Sequence, residues 1–150
     1  MGLMEAMKLD EILEIRRLTE GGFVAEKVMI RIKRIYDPPA RTDGVRFLVE
    51  RLWPRGVKKA KLELDDWLKR VAPSTELRKW FSHDAARWEE FQRRYRAELD
   101  QHPEAWQLIL DAANKGGVTL LFSSHDAARN NAVALKEYFE TKQLKRCRLS

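Results

Sequence analysis

The sequence predicts a small α/β domain: a mainly parallel sheet of three to four strands flanked by helices, in a single compact domain. Three observations carry that reading. Val118–Phe122 is a continuous apolar run between Gly116-Gly117 and Ser123-Ser124-His125-Asp126, as expected of an interior strand that ends in a polar turn. Residues 29–36 begin as an alternation, with Ile30 and Ile32 on one face and Arg31 and Lys33 on the other. Between a second strand and the Val118 strand lies a helical stretch, 62–115, long enough to serve as a crossover, which makes those two strands parallel. At 150 residues and 17.7 kDa the chain holds one domain's worth of core. With 44% hydrophobic and 35% charged residues it is neither disordered nor low-complexity.

Taken in order, residues 8–18 place Leu9, Ile12, Leu13, Ile15 and Leu18 partly at helical spacing, and Gly21-Gly22 stops them. Residues 1–28 therefore read as an N-terminal extension, expected to be dispensable to function, and 29–150 as the α/β domain. In the first strand, the alternation carries Arg34 and Tyr36 onto the apolar face. Either a bulge turns Ile35 inward or Arg34 points into the protein. Asp37-Pro38-Pro39 breaks the strand and Asp43-Gly44 marks a turn. The second strand, 45–53, is apolar on both faces at Phe47, Leu48 and Val49, then meets Glu50 and Arg51, charges that must be paired or face a site. The direction of strand one relative to strand two is left open by the short link between them.

A short helical piece is expected at Leu64–Lys69, a turn at Ala72-Pro73-Ser74, and a helix at Glu76–Phe81. The long helix, 84–100, lines up Trp88, Phe91, Tyr95 and Leu99, and its Glu89→Arg93 and Glu90→Arg94 spacings read as a salt-bridged solvent face. Pro103 opens the next helix, which Gly116-Gly117 ends. After the Val118 strand a helix runs over about 127–141, and Lys145–Leu149 suggests a short edge strand. The string Ser-His-Asp-Ala-Ala-Arg occurs twice, at 82–87 and 124–129, each time before a predicted helix, where a shared capping solution accounts for it.

The formal charge of +6 is local: residues 28–61 carry +7, against −2 for 1–27, −2 for 62–115 and +3 for 116–150. Arginine outnumbers lysine, 17 to 12, and the forked guanidinium suits phosphate and carboxylate. The cluster reads either as a solvated basic face or as an anion site. The single cysteine, Cys147, cannot form an internal disulfide, and no leader or membrane-length apolar run appears, so a cytoplasmic protein without a membrane partner is expected. His83, His102 and His125 lack metal-ligand spacing, no glycine-rich phosphate loop is present, and no cofactor is identified.

Ligands of open parallel sheets sit outside the carboxyl ends of the strands, and here all three predicted strands turn polar at that end. Arg34, Arg51, Arg55 and Arg78 are the candidate anion holders, with Tyr36 and Asn130 beside them and Trp53 and Trp80 as walls. Asp37, His83, Asp84 and Asp126 are the candidate proton-transfer groups. The competing reading is that Glu50, Arg51 and Asp126 form ion pairs that only position loops. Three functions follow: binding, with or without turnover, of a small phosphorylated or nucleotide-like anion; a nucleic-acid module using the 28–61 basic face; or a structural domain with no ligand.

With those residues in hand, the chain resembles the domain of unknown function 488 family, in its YeaO-like branch, from about Ile30 to Phe139. The resemblance rests on Arg34-Ile35-Tyr36-Asp37; Asp43-Gly44-Val45-Arg46; Arg51-Leu52-Trp53-Pro54-Arg55-Gly56; Leu77-Arg78-Lys79-Trp80-Phe81-Ser82-His83-Asp84; and Val118-Thr119-Leu120-Leu121 leading to Asp126 and Asn130. Glu50 stands where the family favours Asp, His125 where it favours a basic residue, and Asn131 where it favours His, which weighs against an acid/base role at 125 or 131. The resemblance implies a compact α/β domain of bacteria or archaea and no established reaction.

Overall fold

The computed structural model describes residues 29–149, and the side chains of 29–142; the 8–18 helix, the Gly21-Gly22 stop and the Cys147 side chain lie outside the described residues. Four strands, β1 (Ile30–Arg34), β2 (Val45–Leu48), β3 (Asp66–Trp67) and β4 (Val118–Phe122), form a sheet in the order β1-β4-β2-β3, with every neighbouring pair parallel. Strands one and two therefore run the same way without touching, because β4 inserts between them, matching Ile30 and Val45 alike to Val118. The α/β reading holds, and the fourth strand is not the expected one.

Leu64–Lys69 contains β3 instead of a helical piece. Asp65 N–H donates to Arg46 O at 2.9 Å and Leu68 N–H to Leu48 O at 2.9 Å, so pairing with a strand distant in sequence, Phe47 with Asp66 and Leu48 with Trp67, overrides local preference. A short helix, α1 (Lys59–Leu62), precedes it. Lys145–Leu149 is likewise not a strand: α5 (Asn131–Leu149) continues through it, and it begins later than the expected residue 127. Between them lie α2 (Thr75–Phe81), α3 (Trp88–Gln101), led by a 3-10 turn at Ala85–Arg87, and α4 (Pro103–Gly116). Among the described residues no helix is long and apolar enough to cross a membrane.

The period of two along each strand divides the core. Phe47, Leu120, Phe122 and Ile30 face α2 to α5, meeting Phe81, Phe91, Tyr95, Ile109, Leu135 and Phe139. Leu48, Leu121 and Ile35 face the other way, where the 50–67 segment covers them with Leu62, Trp53, Val57 and Trp67. No bulge is needed at Ile35. Its N–H continues the ladder to Phe122 O at 2.9 Å and its side chain simply belongs to the second face, which leaves Arg34 on the helix side with a buried Nε that has no partner among the described residues. On α3, Glu90 accepts from Arg93 at 2.7 Å and Arg94 at 2.9 Å, and these bonds hold its carboxyl down at about 2.

Two backbone positions shape the sheet's approaches. Gly44, at φ +66°, ψ −141°, turns the chain into β2, and a Cβ there would sit 2.5 Å from Gly117 O. Glu63 closes α1 in the left-handed region, at φ 48°, ψ 52°. A non-glycine residue there costs about 1–2 kcal/mol, offset by the greater chain entropy of unfolded glycine. Glu63→Gly is accordingly expected to stabilise the fold by about 0.5–1 kcal/mol, read as a higher urea midpoint at unchanged slope.

Candidate functional site

The carboxyl ends of β2 and β4, the start of α5 and the end of α2 enclose a cleft of about 460 Å³. That is within the ordinary range for small-ligand pockets. Of the residues singled out above, Arg51, Trp53, Arg78, His83 and Asn130 line it.

The carboxyl end of β2 contributes a tied acid and a half-tied base. Glu50 accepts from Ser123 N–H at 2.6 Å and from the Ser123 hydroxyl at 2.8 and 2.7 Å, stitching the ends of β2 and β4 together. Arg51 does not pair with Glu50. Its Nε donates to Pro73 O at 3.1 Å and its Nη2 to Ala72 O at 3.3 Å. Of the five guanidinium N–H donors, those on Nη1 have no protein partner among the described residues. The Val71–Ser74 strap that Arg51 grips is also held by the Tyr95 hydroxyl on Val71 O and by Glu98 on Ser74 N–H. Burial raises the Tyr95 hydroxyl's pKa well above its ordinary range, so it donates and does not ionise.

The α2 side supplies Arg78 and Lys79, both exposed and neither in an ion pair among the described residues, followed by Ser82 and His83. Ser82 and His83 lie in the left-handed region, at φ 45° and 56°, each at a cost of about 1–2 kcal/mol relative to glycine. Across the cleft, Asn130 is consumed as the cap of α5: its Nδ2 donates to Asp126 O at 2.9 Å and its Oδ1 accepts from Val133 N–H at 3.0 Å. Asn131 donates to Val49 O. The lining thus holds three permanent cations, an imidazole, and one carboxylate that accepts from the N–H and hydroxyl of Ser123.

The remaining candidates stand elsewhere. Arg34 has Nη2 3.5 Å from His125 Nδ1 and lies over the Tyr36 ring at 5.8 Å, and its backbone N–H donates to Asp37 at 3.1 Å in an exposed turn. Trp80 has the guanidinium groups of Arg94 and Arg87 over its ring, at 4.2 and 5.2 Å from the centroid. Asp84 caps the 3-10 turn through Ala86 N–H at 3.0 Å. Asp126 accepts from Ala128 and Arg129 N–H, and those backbone bonds, outweighing desolvation, hold its carboxyl below the usual range. Only the first copy of the repeated string uses its aspartate as the expected cap: Asp126 closes a bend at 126–129, and α5 starts at Asn131 with Asn130 as its cap. Arg55 is exposed and is not among the cleft's lining residues. No group of three or more His, Cys, Asp or Glu side chains among the described residues is placed to hold a metal ion.

The profile of the inactive DUF488-N3 subclade matches residues 29–148. The chain belongs to the DUF488 family. Within it, the chain is 44% identical over 112 residues to the uncharacterized protein YeaO of Escherichia coli (strain K12), covering 75% of this chain and 97% of that one. It is 33% identical over 114 residues to uncharacterized proteins of Mycobacterium bovis and Mycobacterium tuberculosis, covering 76% of this chain and 96% of each relative. No solved structure matches it. The family match spans both walls of the cleft and all four strands.

Lys79 and Ser82 line the cleft and were not among the sequence candidates, whereas Glu50 and Ser123 were read as polar strand ends without an assigned role in it. For Lys79 and Ser82 a signal was available, since both lie within one turn of Arg78 and His83 on the chain. The pairing of Ser123 with Glu50 had none, because it joins residues 73 positions apart.

Proposed function

We propose that this protein binds a small anionic ligand, phosphorylated or nucleotide-like, in the cleft at the carboxyl ends of β2 and β4, and that it does so without turning it over. The observation that carries the reading is the charge imbalance of the lining: Arg51 Nη1, Arg78, Lys79 and His83 against Glu50, whose oxygens are engaged by Ser123. Two observations support binding without chemistry. Asp84 is engaged as the cap of a 3-10 turn and Asp126 by the backbone N–H groups of its own bend, and the matching subclade is described as inactive. The single cysteine fits a reducing compartment, and we place the interaction in the cytoplasm.

A nucleic-acid reading keeps one observation in its favour. Arg55, Lys58, Lys59 and Lys61 are exposed without an acidic partner among the described residues. Salt separates the two, since backbone binding falls steeply with ionic strength across many sequences. Titration calorimetry with pyrophosphate and with a mixed-sequence oligonucleotide is the test. Expected is saturable pyrophosphate binding that Arg78→Glu weakens by about tenfold or more. Salt-sensitive oligonucleotide binding without a pyrophosphate response overturns the cleft reading, and silence in both titrations leaves a structural domain.

A further inference from the structure

Ser82 and His83 are consecutive, neither is glycine, and both hold the left-handed backbone that glycine adopts freely. A turn that needed only this shape would be met at lower cost by glycine. Both residues line the cleft, and neither side chain makes a hydrogen bond to protein among the described residues; the His83 ring has only a tilted approach to Phe81, 6.1 Å between centroids. Nor does the local sequence demand the conformation. The same six residues recur at 124–129, and there Ser124 and His125 keep negative φ. At 82–83 the turn closes the end of α2: Ser82 N–H donates to Arg78 O at 3.1 Å and Asp84 N–H to Phe81 O at 2.9 Å, bracketing it on both sides.

The consequence is a continuous stretch of wall. Arg78 and Lys79, in the last turn of α2, and the Ser82 hydroxyl and His83 imidazole, just beyond it, all border the same space. Strained non-glycine residues persist at ligand clamps because the cost is met by the surrounding structure and the side chain serves the ligand. We propose that the Ser82–His83 turn is the recognition element of the cleft, its hydroxyl and imidazole hydrogen-bonding the phosphoryl oxygens of a ligand whose charge rests on Arg78 and Lys79. This inference rests on the anion-binding reading above and assigns it specific contacts.

The full chain and its His83→Gly, His83→Ala and Arg78→Glu variants are compared by urea unfolding and by pyrophosphate calorimetry. His83→Gly is expected to raise the unfolding midpoint at unchanged slope, because the strain is relieved, while weakening pyrophosphate by about tenfold, the loss of a hydrogen bond to a charged group. His83→Ala keeps the strained backbone and loses the ring, so affinity falls as far without the gain in midpoint. If both variants bind pyrophosphate like the unaltered protein while Arg78→Glu does not, the turn is structural and the proposal fails with the cleft reading intact. A lowered midpoint in His83→Gly also overturns it, since the imidazole is then a packing element. If the unaltered protein gives no pyrophosphate signal, the anion-binding reading falls and takes this proposal with it.

Discussion

Replacing Asp43 with alanine is expected to remove about 3–5 kcal/mol of folding stability, the cost of leaving one member of a buried ion pair without its counter-ion. Asp43 is 2% exposed and Arg46 5%. The Asp43 carboxylate accepts from Lys33 Nζ at 2.9 Å, from Ala40 N–H at 3.0 Å and from Arg46 Nη1. Arg46 in turn donates to Glu63 O at 3.2 Å and Leu62 O at 2.9 Å, which fastens the 62–65 segment over the second face of the sheet. Without Asp43 those two carbonyls remain, but the guanidinium is buried with no negative charge against it. In a domain whose total stability is about 5–15 kcal/mol, that is a large share.

The same site predicts an acid limb. Burial alone would push the Asp43 carboxyl up, but the bonds from Lys33, Ala40 N–H and Arg46 outweigh it and hold it below the ordinary 3.8. A carboxyl whose folded pKa is depressed contributes stability above its unfolded pKa and loses it as pH falls through the folded one. The unaltered protein should therefore lose stability from Asp43 as pH drops below about 4, and Asp43→Asn should be less stable at neutral pH with a flatter acid limb. Urea midpoints measured between pH 7 and pH 3 check both, and parallel limbs in the two proteins would sink the assignment.

Asp43 and Arg46 also explain why the basic cluster was legible as charge and not as a site. Residues 28–61 carry +7, yet the structure uses five of those cations as ties: Arg31 to Thr42 O, Lys33 and Arg46 to Asp43, Arg34 beside His125, and Arg51 to the Ala72 and Pro73 carbonyls. A carboxylate partner leaves a mark in sequence. A backbone carbonyl leaves none, since every residue has one, and half of these ties end on carbonyls. The strands at Ile30, Val45 and Val118 were readable because their period and bounding turns are local. Asp66–Trp67 was not, because two residues carry no period and their partners lie in β2. The position of the cleft followed from parallel topology, whereas which groups remain free inside it followed from tertiary hydrogen bonds alone.

Glu50 is where stability and ligand affinity should move in opposite directions. Its carboxylate takes the Ser123 N–H and hydroxyl, and no other element supplies Ser123 N–H with an acceptor among the described residues. Hydrogen bonds to a charged group are worth about 1.5–3 kcal/mol each, and some of that is recovered where cleft water can replace them, so Glu50→Ala should cost about 2–4 kcal/mol. The same change deletes the one negative charge in a lining that otherwise holds Arg51, Arg78, Lys79 and His83. At the few-ångström separations of a shared cleft, unlike those across a Debye length, removing that repulsion should tighten pyrophosphate by about three- to tenfold. Glu50→Gln keeps the side-chain shape and one acceptor oxygen, so it should retain more of the stability while showing the same gain in affinity. Calorimetry and urea unfolding on the two variants decide it. A stabler or unchanged Glu50→Ala would mean that Ser123 does not depend on the carboxylate. Weaker pyrophosphate binding by Glu50→Gln, with the fold intact, would mean that the anion does not sit beside Glu50, because neutralising a neighbouring acid cannot by itself repel an anion.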